Sequence, residues 1–318
     1  MRAITKLMVR ELIGGVFSWI WIVASLGTVY FFVQLVFFDG NWINFVLAMG
    51  VGLIGNLLWR AIQKTENNVV PVGIPKTEAD IAAAFNRCTF ALDIDPKDPQ
   101  LRHITSALSG LQTAIAPRDY VETFFDGYAR DFERSLVGTL QYRAPSVLTQ
   151  IMLTNSFGKT LGKGLDLGCG TGLAGEALKN YSGSLVGVDL SQAMLKKARN
   201  KNIYDLLVHQ DIIEFLNSAE LDFDYFIAVD VFTYIGDLTA LFALIKSRNE
   251  RSGKLAFSTE HLEDGEYFLA KSGRYSHSKS YIKDLSKTYG YRVSHFENTE
   301  LRKEEDYFLT GGLYLLEF

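Results

Sequence analysis

The chain has 318 residues, enough for one sizeable domain and something smaller. Its net charge of −4 lacks the clustered basic excess of a nucleic-acid binder, so no nucleic-acid partner is expected. The two cysteines, Cys88 and Cys169, are too few and too far apart for a disulfide framework or a metal site; they read as free buried thiols, and no metal is expected. A hydrophobic fraction of 48% is high for a soluble enzyme, and the excess is concentrated at the amino end.

Residues Leu12 to Phe38 form 27 positions without a formal charge, and Trp42 to Trp59 another 18. A helix needs roughly 20 apolar residues to cross the hydrocarbon core, so the first stretch is long enough to span and the second just so. Trp42 and Trp59 bracket the second stretch as interfacial anchors would. Asp39-Gly40-Asn41 is a turn signal between them. Arg2, Lys6 and Arg10 precede the pair, Arg60 and Lys64 follow it, and no basic residue lies between. The positive-inside rule then predicts a two-pass hairpin with both termini and the remaining chain cytoplasmic, in the inner membrane if the source is bacterial. A cleaved signal peptide fits poorly, because its apolar core is usually about 7–15 residues and has no second span behind it. A buried hairpin of a soluble protein is the other alternative.

Val70-Pro71-Val72-Gly73-Ile74-Pro75 reads as an extended linker, since each residue before proline is pushed out of the α region. Thr77 is a fitting N-cap for an amphipathic helix to about Leu92. Asp93 to Pro99 breaks it, and a second helix is predicted from about Gln100 to Leu111. Ala84 to Pro96 is similar to the closing helix of a tetratricopeptide unit, but there is room for about one repeat where stable arrays need roughly three. A plain helical linker explains it equally well. In either form the connector could meet a protein partner.

From Ser156 onward strand-like and helix-like segments alternate, the pattern of a parallel sheet covered on both faces. Gly164 to Leu167 is a short apolar strand entering Gly168-Cys169-Gly170-Thr171-Gly172, with a helix from Leu173 to Asn180. Glycines in such a turn let the backbone approach a ligand closely. Leu185 to Val188 ends at Asp189, Leu206 to Gln210 at Asp211, and Phe226 to Val229 at Asp230. Lys254 to Ser258 is the fifth strand. Ligands of open α/β sheets bind beyond the carboxyl ends of the strands, where these three acids sit. A carboxylate about 20 residues past the turn, as Asp189 is, can take both ribose hydroxyls. Asp211 can accept from an adenine amino group, with Leu190 and Ile212 beside the two acids. Taken singly, each acid could equally be a helix N-cap.

A dinucleotide fingerprint is G-x-G-x-x-G, whereas this turn is G-x-G-x-G, and Asp166 would crowd a pyrophosphate with negative charge. An acid at that place suits a cofactor with a cationic end. S-adenosylmethionine carries an ammonium and a sulfonium, and its ammonium can meet Asp166 or the carbonyls of the turn. The expected cofactor-binding set is therefore Asp166, Gly168, Gly170, Gly172, Asp189, Leu190, Asp211, Ile212 and Asp230. Tyr128, on an amphipathic helix ahead of the sheet, either closes over the cofactor or simply packs.

Leu165 to Gly172 resembles motif I of class I methyltransferases. Four further stretches are similar to the predicted methyltransferases that carry tetratricopeptide repeats before the catalytic domain: Phe125 to Phe132, Tyr142 to Pro145, Asp230 to Leu238, and Ser272 to Ser278. The resemblance covers roughly Ala84 to Phe318 and implies a Rossmann-like methyltransferase sheet with helices on both faces. The chain departs from that family in its apolar amino end and in having one repeat at most. The expected organisation is a transmembrane hairpin over 1–64, a connector over 65–116 and the methyltransferase domain over 117–318.

Methyl transfer is an in-line displacement at a sulfonium, so orientation and desolvation can supply much of the catalysis. Past the fifth strand, Glu260, His261, Arg274 and Tyr275 form the expected acceptor side, with Arg274 suited to an anionic group. His277 is the first choice for a general base, because its ordinary pKa lies near working pH. A loop held by hydrogen bonds from His277 and Tyr275 is the competing reading. Strand four ends in Asp230-Val231-Phe232, unlike the Asn/Asp-Pro-Pro-Tyr/Phe of amide and adenine N-methyltransferases. A small-molecule or lipid-like acceptor, methylated on O or N beside a membrane, is therefore expected. The alternatives are an anchored scaffold that keeps the fold without the chemistry, and another reaction of the same cofactor.

Overall fold

The structure is a computed structural model that describes residues 77–130, 132–133, 142–156, 160–304 and 307–318. Both uncharged amino-terminal stretches lie outside the described residues, among which no helix is long and apolar enough to cross a membrane. The chain divides into two compact units, 1–96 and 97–318.

In the first unit the described part is helix α1, Glu78–Ile94. Thr77 starts it with a reciprocal cap: its hydroxyl accepts from the Asp80 N–H at 3.1 Å, and the Asp80 carboxylate accepts from the Thr77 N–H at 3.1 Å. Two of the orphan donors of the first turn are satisfied in this way.

The second unit opens with α2, Pro99–Ser109, which Asp98 caps by accepting from the N–H groups of Gln100 and Leu101. It stops two residues before the predicted end, because Gly110 takes φ +78° and turns the chain. Helices α3 (Arg118–Tyr128) and α4 (Ala144–Thr154) follow. The alternating part comprises β1 (Gly162–Leu167), α5 (Leu173–Leu178), β2 (Ser182–Asp189), α6 (Gln192–Asn200), β3 (Leu206–His209), α7 (Ile212–Ser218), β4 (Tyr225–Ala228), α8 (Thr239–Arg248) and β5 (Lys254–Leu262). Then come β6 (Tyr267–Leu269), β7 (Tyr275–Ser278), α9 (Lys279–Tyr289), β8 (Arg292–Glu304) and β9 (Tyr307–Glu317).

The parallel strands run in the order β3-β2-β1-β4-β5. Antiparallel β9 adds along β5 from Lys254↔Glu317 to Glu260↔Gly311, and β8 pairs with β9. β5 is longer than the sequence suggests, reaching Leu262 where the predicted strand stops at Ser258. Its last residues are kept extended by a second partner: Glu260, His261 and Leu262 pair with Ser276, His277 and Ser278 of β7. The stretch around His277, a loop in the competing reading, is thus a strand, and with β6 it forms a small hairpin.

Both faces of the sheet are buried, as a parallel sheet under helices requires. Phe226 and Ala228 of β4 join one core with Phe257, Phe242 and Ile282. Tyr225 and Ile227 face the other, with Leu148 and Met152 of α4 and Leu178 of α5. Burying one such large side chain stabilises the fold by about 1.5–3 kcal/mol. The two-residue alternation also puts Asp166 inside, 1% exposed, one position from the core residues Leu165 and Leu167.

Candidate cofactor and acceptor site

The turn after β1 needs three left-handed residues: Gly168, Gly170 and Gly172 have φ of +66°, +54° and +90°. Other residues adopt this region at a cost. Gly168 has a second reason, since a Cβ there would lie 2.5 Å from Val231 Cγ2. The turn is closed by the Cys169 N–H donating to the Val188 carbonyl at 3.0 Å and the Gly172 N–H to the Cys169 carbonyl at 2.9 Å.

Two acids meet at this turn. Asp189 at the end of β2 accepts from the Gly170 N–H at 2.7 Å with one oxygen and from the Ser191 N–H at 2.8 Å with the other. Asp166 accepts from the Tyr204 hydroxyl at 2.6 Å. Among the described residues neither carboxylate is paired with a lysine or arginine. Burial pushes the Asp166 carboxyl up to about 7, opposed by the Tyr204 hydrogen bond and assisted by the charge of Asp189. Burial raises Asp189 as well, against the two backbone N–H donors. The sequence carries no local signal for Tyr204, which precedes β3. Its ring fills the space left by Gly175 and Gly187, where a Cβ would come within 2.5 Å and 2.9 Å of it.

Asp211 sits at the carboxyl end of β3, as expected, and there caps α7 by accepting from the N–H groups of Ile213 and Glu214. Ile212 beside it is buried, and the Leu190 carbonyl lies 2.8 Å from His209 Nε2. Helix α3 crosses these strand ends. Its Asp126 accepts from the Ser191 hydroxyl at 2.6 Å, and Arg118 pairs with Glu214 at 3.1 Å. Tyr128 on this helix is half-buried, its ring tilted against Phe124 at 5.8 Å and edge-on to Phe132 at 5.5 Å.

Asp230 belongs to a different set of contacts. It has φ +57°, a conformation Asp tolerates better than most residues and one that clusters at functional sites. Its carboxylate accepts from Arg302 at 2.7 Å and from the Ser258 hydroxyl at 3.2 Å. The other arm of Arg302 reaches Glu260 at 2.7 Å, and Arg274 donates to the same Glu260 oxygen at 2.6 Å. Glu260 and Arg302 are each about 5–6% exposed. Val231, next in the chain, is the residue packed on Gly168, so this network starts one residue from the glycine turn. Asp230 is thus bonded to Arg302 and Ser258 and stands apart from the contacts of Asp166 and Asp189.

His277 corrects the expectation of an accessible base. Its ring is 0% exposed, Nε2 donates to the carbonyls of Ile235 at 2.9 Å and Gly236 at 3.0 Å, and burial lowers its pKa to about 4. It fastens β7 to the loop after β4. Tyr275 is equally buried and its hydroxyl meets Thr113 at 2.5 Å, so it too anchors the hairpin. His261 lies 3.3 Å from Glu263 at the end of β5.

Residues 165–253 match a family model described as a methyltransferase domain. The chain carries a methyltransferase domain. S-adenosylmethionine is the cofactor of this class. No curated protein matches the chain. Among solved structures, a magnesium protoporphyrin IX methyltransferase from Synechocystis with bound S-adenosylmethionine is 16% identical, with a TM-score of 0.49 over 65% of this chain and 99% of that one. A methyltransferase from Clostridium acetobutylicum is 19% identical, with a TM-score of 0.46 over 61% and 99%. The N-methyltransferase NodS from Bradyrhizobium japonicum, in complex with S-adenosylhomocysteine, is 17% identical, with a TM-score of 0.44 over 54% and 84%.

Proposed function

We propose that the protein is a membrane-anchored S-adenosylmethionine-dependent methyltransferase that methylates O or N of a small-molecule or lipid-like acceptor. The observation that carries this reading is the Asp166–Asp189 pair under the glycine turn, two buried acids met, among the described residues, by N–H groups and a phenol. A buried carboxyl held near neutrality without a cation fits a ligand that brings one, since an opposite charge restores the ionised form. Asp166 and the turn at Gly168, Gly170 and Gly172 would receive the ammonium. Asp189 would take the ribose hydroxyls on lone pairs not engaged by its backbone donors. Asp211, Leu190 and Ile212 would border the adenine, under the cover of α3 and Tyr128.

When bound, the cofactor supplies a methyl group activated by its sulfonium. The chain supplies alignment and dryness, which are worth several kcal/mol in a two-reactant displacement. Arg274, which donates to Glu260, would hold an anionic group of the acceptor. Since His277 is sealed inside the hairpin, transfer relies on positioning rather than on that base. The membrane part of the proposal rests on the two uncharged stretches, 12–38 and 42–59, with their basic flanks.

The test incubates the full-length protein and tritiated-methyl cofactor with membrane and soluble extracts. Label is expected in the organic-extractable membrane fraction. Label confined to water-soluble species would remove the membrane acceptor. No label, together with no calorimetric binding of the cofactor, would remove the enzyme.

A further inference from the structure

We infer that Arg302, on the outer strand β8, is a positioning residue that offsets the charge of Asp230 and holds it still at the methyl-transfer end of the site. The inference rests on the proposed cofactor site and adds a residue that motif reading does not reach. Arg302 is buried, yet its two guanidinium nitrogens go to carboxylates on two different strand ends: Asp230 after β4 at 2.7 Å and Glu260 in β5 at 2.7 Å. Such a planar fork holds both acids in fixed directions, which a lysine point charge does only loosely.

Three observations make this frame more than a packing detail. Asp230 is held with φ +57°, so its carboxylate is aimed by a backbone geometry that the surrounding bonds must maintain. Its N–H donates to the Ser258 hydroxyl at 2.8 Å, and that hydroxyl donates back to its carboxylate, closing the residue from both ends. The following residue, Val231, packs against Gly168 of the cofactor turn. The frame is therefore coupled sterically to the turn and electrostatically to Arg274, which shares the Glu260 oxygen. Arg302 meets Asp230 directly, whereas among the described residues no lysine or arginine is paired with the Asp166–Asp189 pair next door. A cation at the methyl position then meets a carboxylate already engaged by Arg302 and is left unclamped at the reacting end, where the positive charge disappears during transfer. Without Arg302, Asp230 would hold that positive charge in the ground state and oppose its loss.

The test compares two ligands of the full-length protein by calorimetry. One is S-adenosylhomocysteine, neutral at sulfur. The other is the analogue in which CH–NH3+ replaces S+–CH3 and so puts a permanent charge at the methyl position. In Arg302→Gln the amino analogue is expected to gain about tenfold over S-adenosylhomocysteine, whose own affinity stays within about threefold of wild type. Arg302→Lys should return the ratio toward wild type, and so should Arg302→Gln combined with Asp230→Asn. Asp230→Asn alone should move the ratio the other way, which keeps the test informative if Arg302→Gln folds poorly. A ratio unmoved in Arg302→Gln and in Asp230→Asn, with S-adenosylhomocysteine still bound, overturns the role of Arg302 alone. Failure of the wild type to bind S-adenosylhomocysteine overturns this inference together with the cofactor site.

Discussion

Adjacent strands of this sheet end in acids that the fold treats in opposite ways. Asp166 and Asp189 are buried and, among the described residues, have no guanidinium or ammonium paired with them, and burial raises the Asp166 carboxyl to about 7. Asp230 and Glu260 are each tied to Arg302, and Glu260 to Arg274 as well. The first pair is an uncompensated seat that a cation can fill. The second is a compensated frame that holds its shape without a ligand. Charge in one half is open to a cationic ligand, while in the other arginines of the protein already meet it.

The sharpest way to break this contrast is to remove a member of the compensated frame. Glu260→Ala removes the buried carboxylate that Arg274 and Arg302 share, and should destabilise the protein by about 3–5 kcal/mol in chemical denaturation. If stability is unchanged, the frame is not holding strand ends together. On the uncompensated side the same kind of change should strike binding first. Asp189→Ala removes the proposed ribose acceptor and the partner of the Gly170 and Ser191 N–H groups, with charge-assisted hydrogen bonds worth about 1.5–3 kcal/mol each. Calorimetry should then show cofactor affinity falling by about 100-fold, and a loss under threefold would remove Asp189 from the site.

His277 marks the border between holding and chemistry. His277→Gln should cost about 2 kcal/mol of stability through its two carbonyl bonds and packed ring, and leave cofactor affinity unaltered. A variant as stable as wild type but unable to transfer methyl would restore the base. The sign of its pH effect follows from the lowered pKa. The neutral ring's contribution is full above its ordinary value of 6.5 and is lost as pH falls toward about 4.

The smallest effect is the pH dependence of binding. With Asp166 at about 7 in the free protein, cofactor affinity should be level above pH 7 and fall by up to about tenfold per unit below it. Asp166→Asn should abolish that slope. The same raised pKa has the opposite sign for stability. The acid form favours folding, so Asp166 contributes below its ordinary 3.8 and loses that contribution as pH rises through about 7. Asp166→Asn should therefore gain stability over wild type at pH 8 and not at pH 4. A wild-type affinity that is flat from pH 6 to 8 would mean that Asp166 does not receive the cation.

The parts of the site that could be read along the chain are those set by neighbours in sequence. A strand of apolar alternation running into Gly168-Cys169-Gly170-Thr171-Gly172 needs left-handed backbone at each glycine, and all three adopt it. Asp189, Asp211 and Asp230 follow the apolar strand residues, so their places at carboxyl ends follow from strand direction alone. Thr77 was legible as a cap for the same reason: its partner is three residues away.

What the tertiary structure decided is which of those acids are neutralised, and by what. Arg302 reaches Asp230 across 72 positions and Glu260 across 42, and Tyr204 reaches Asp166 across 38. Periodicity carries no record of such meetings, because they depend on how β8, β9 and the loop before β3 pack against the sheet. His277 shows the same limit: its residue type suggests a base, and only the pairing of β7 with β5 buries it. Chain direction and backbone sterics are local and show in sequence. The charge state of a buried group depends on its solvation and its through-space partners, and only the assembled fold supplies those.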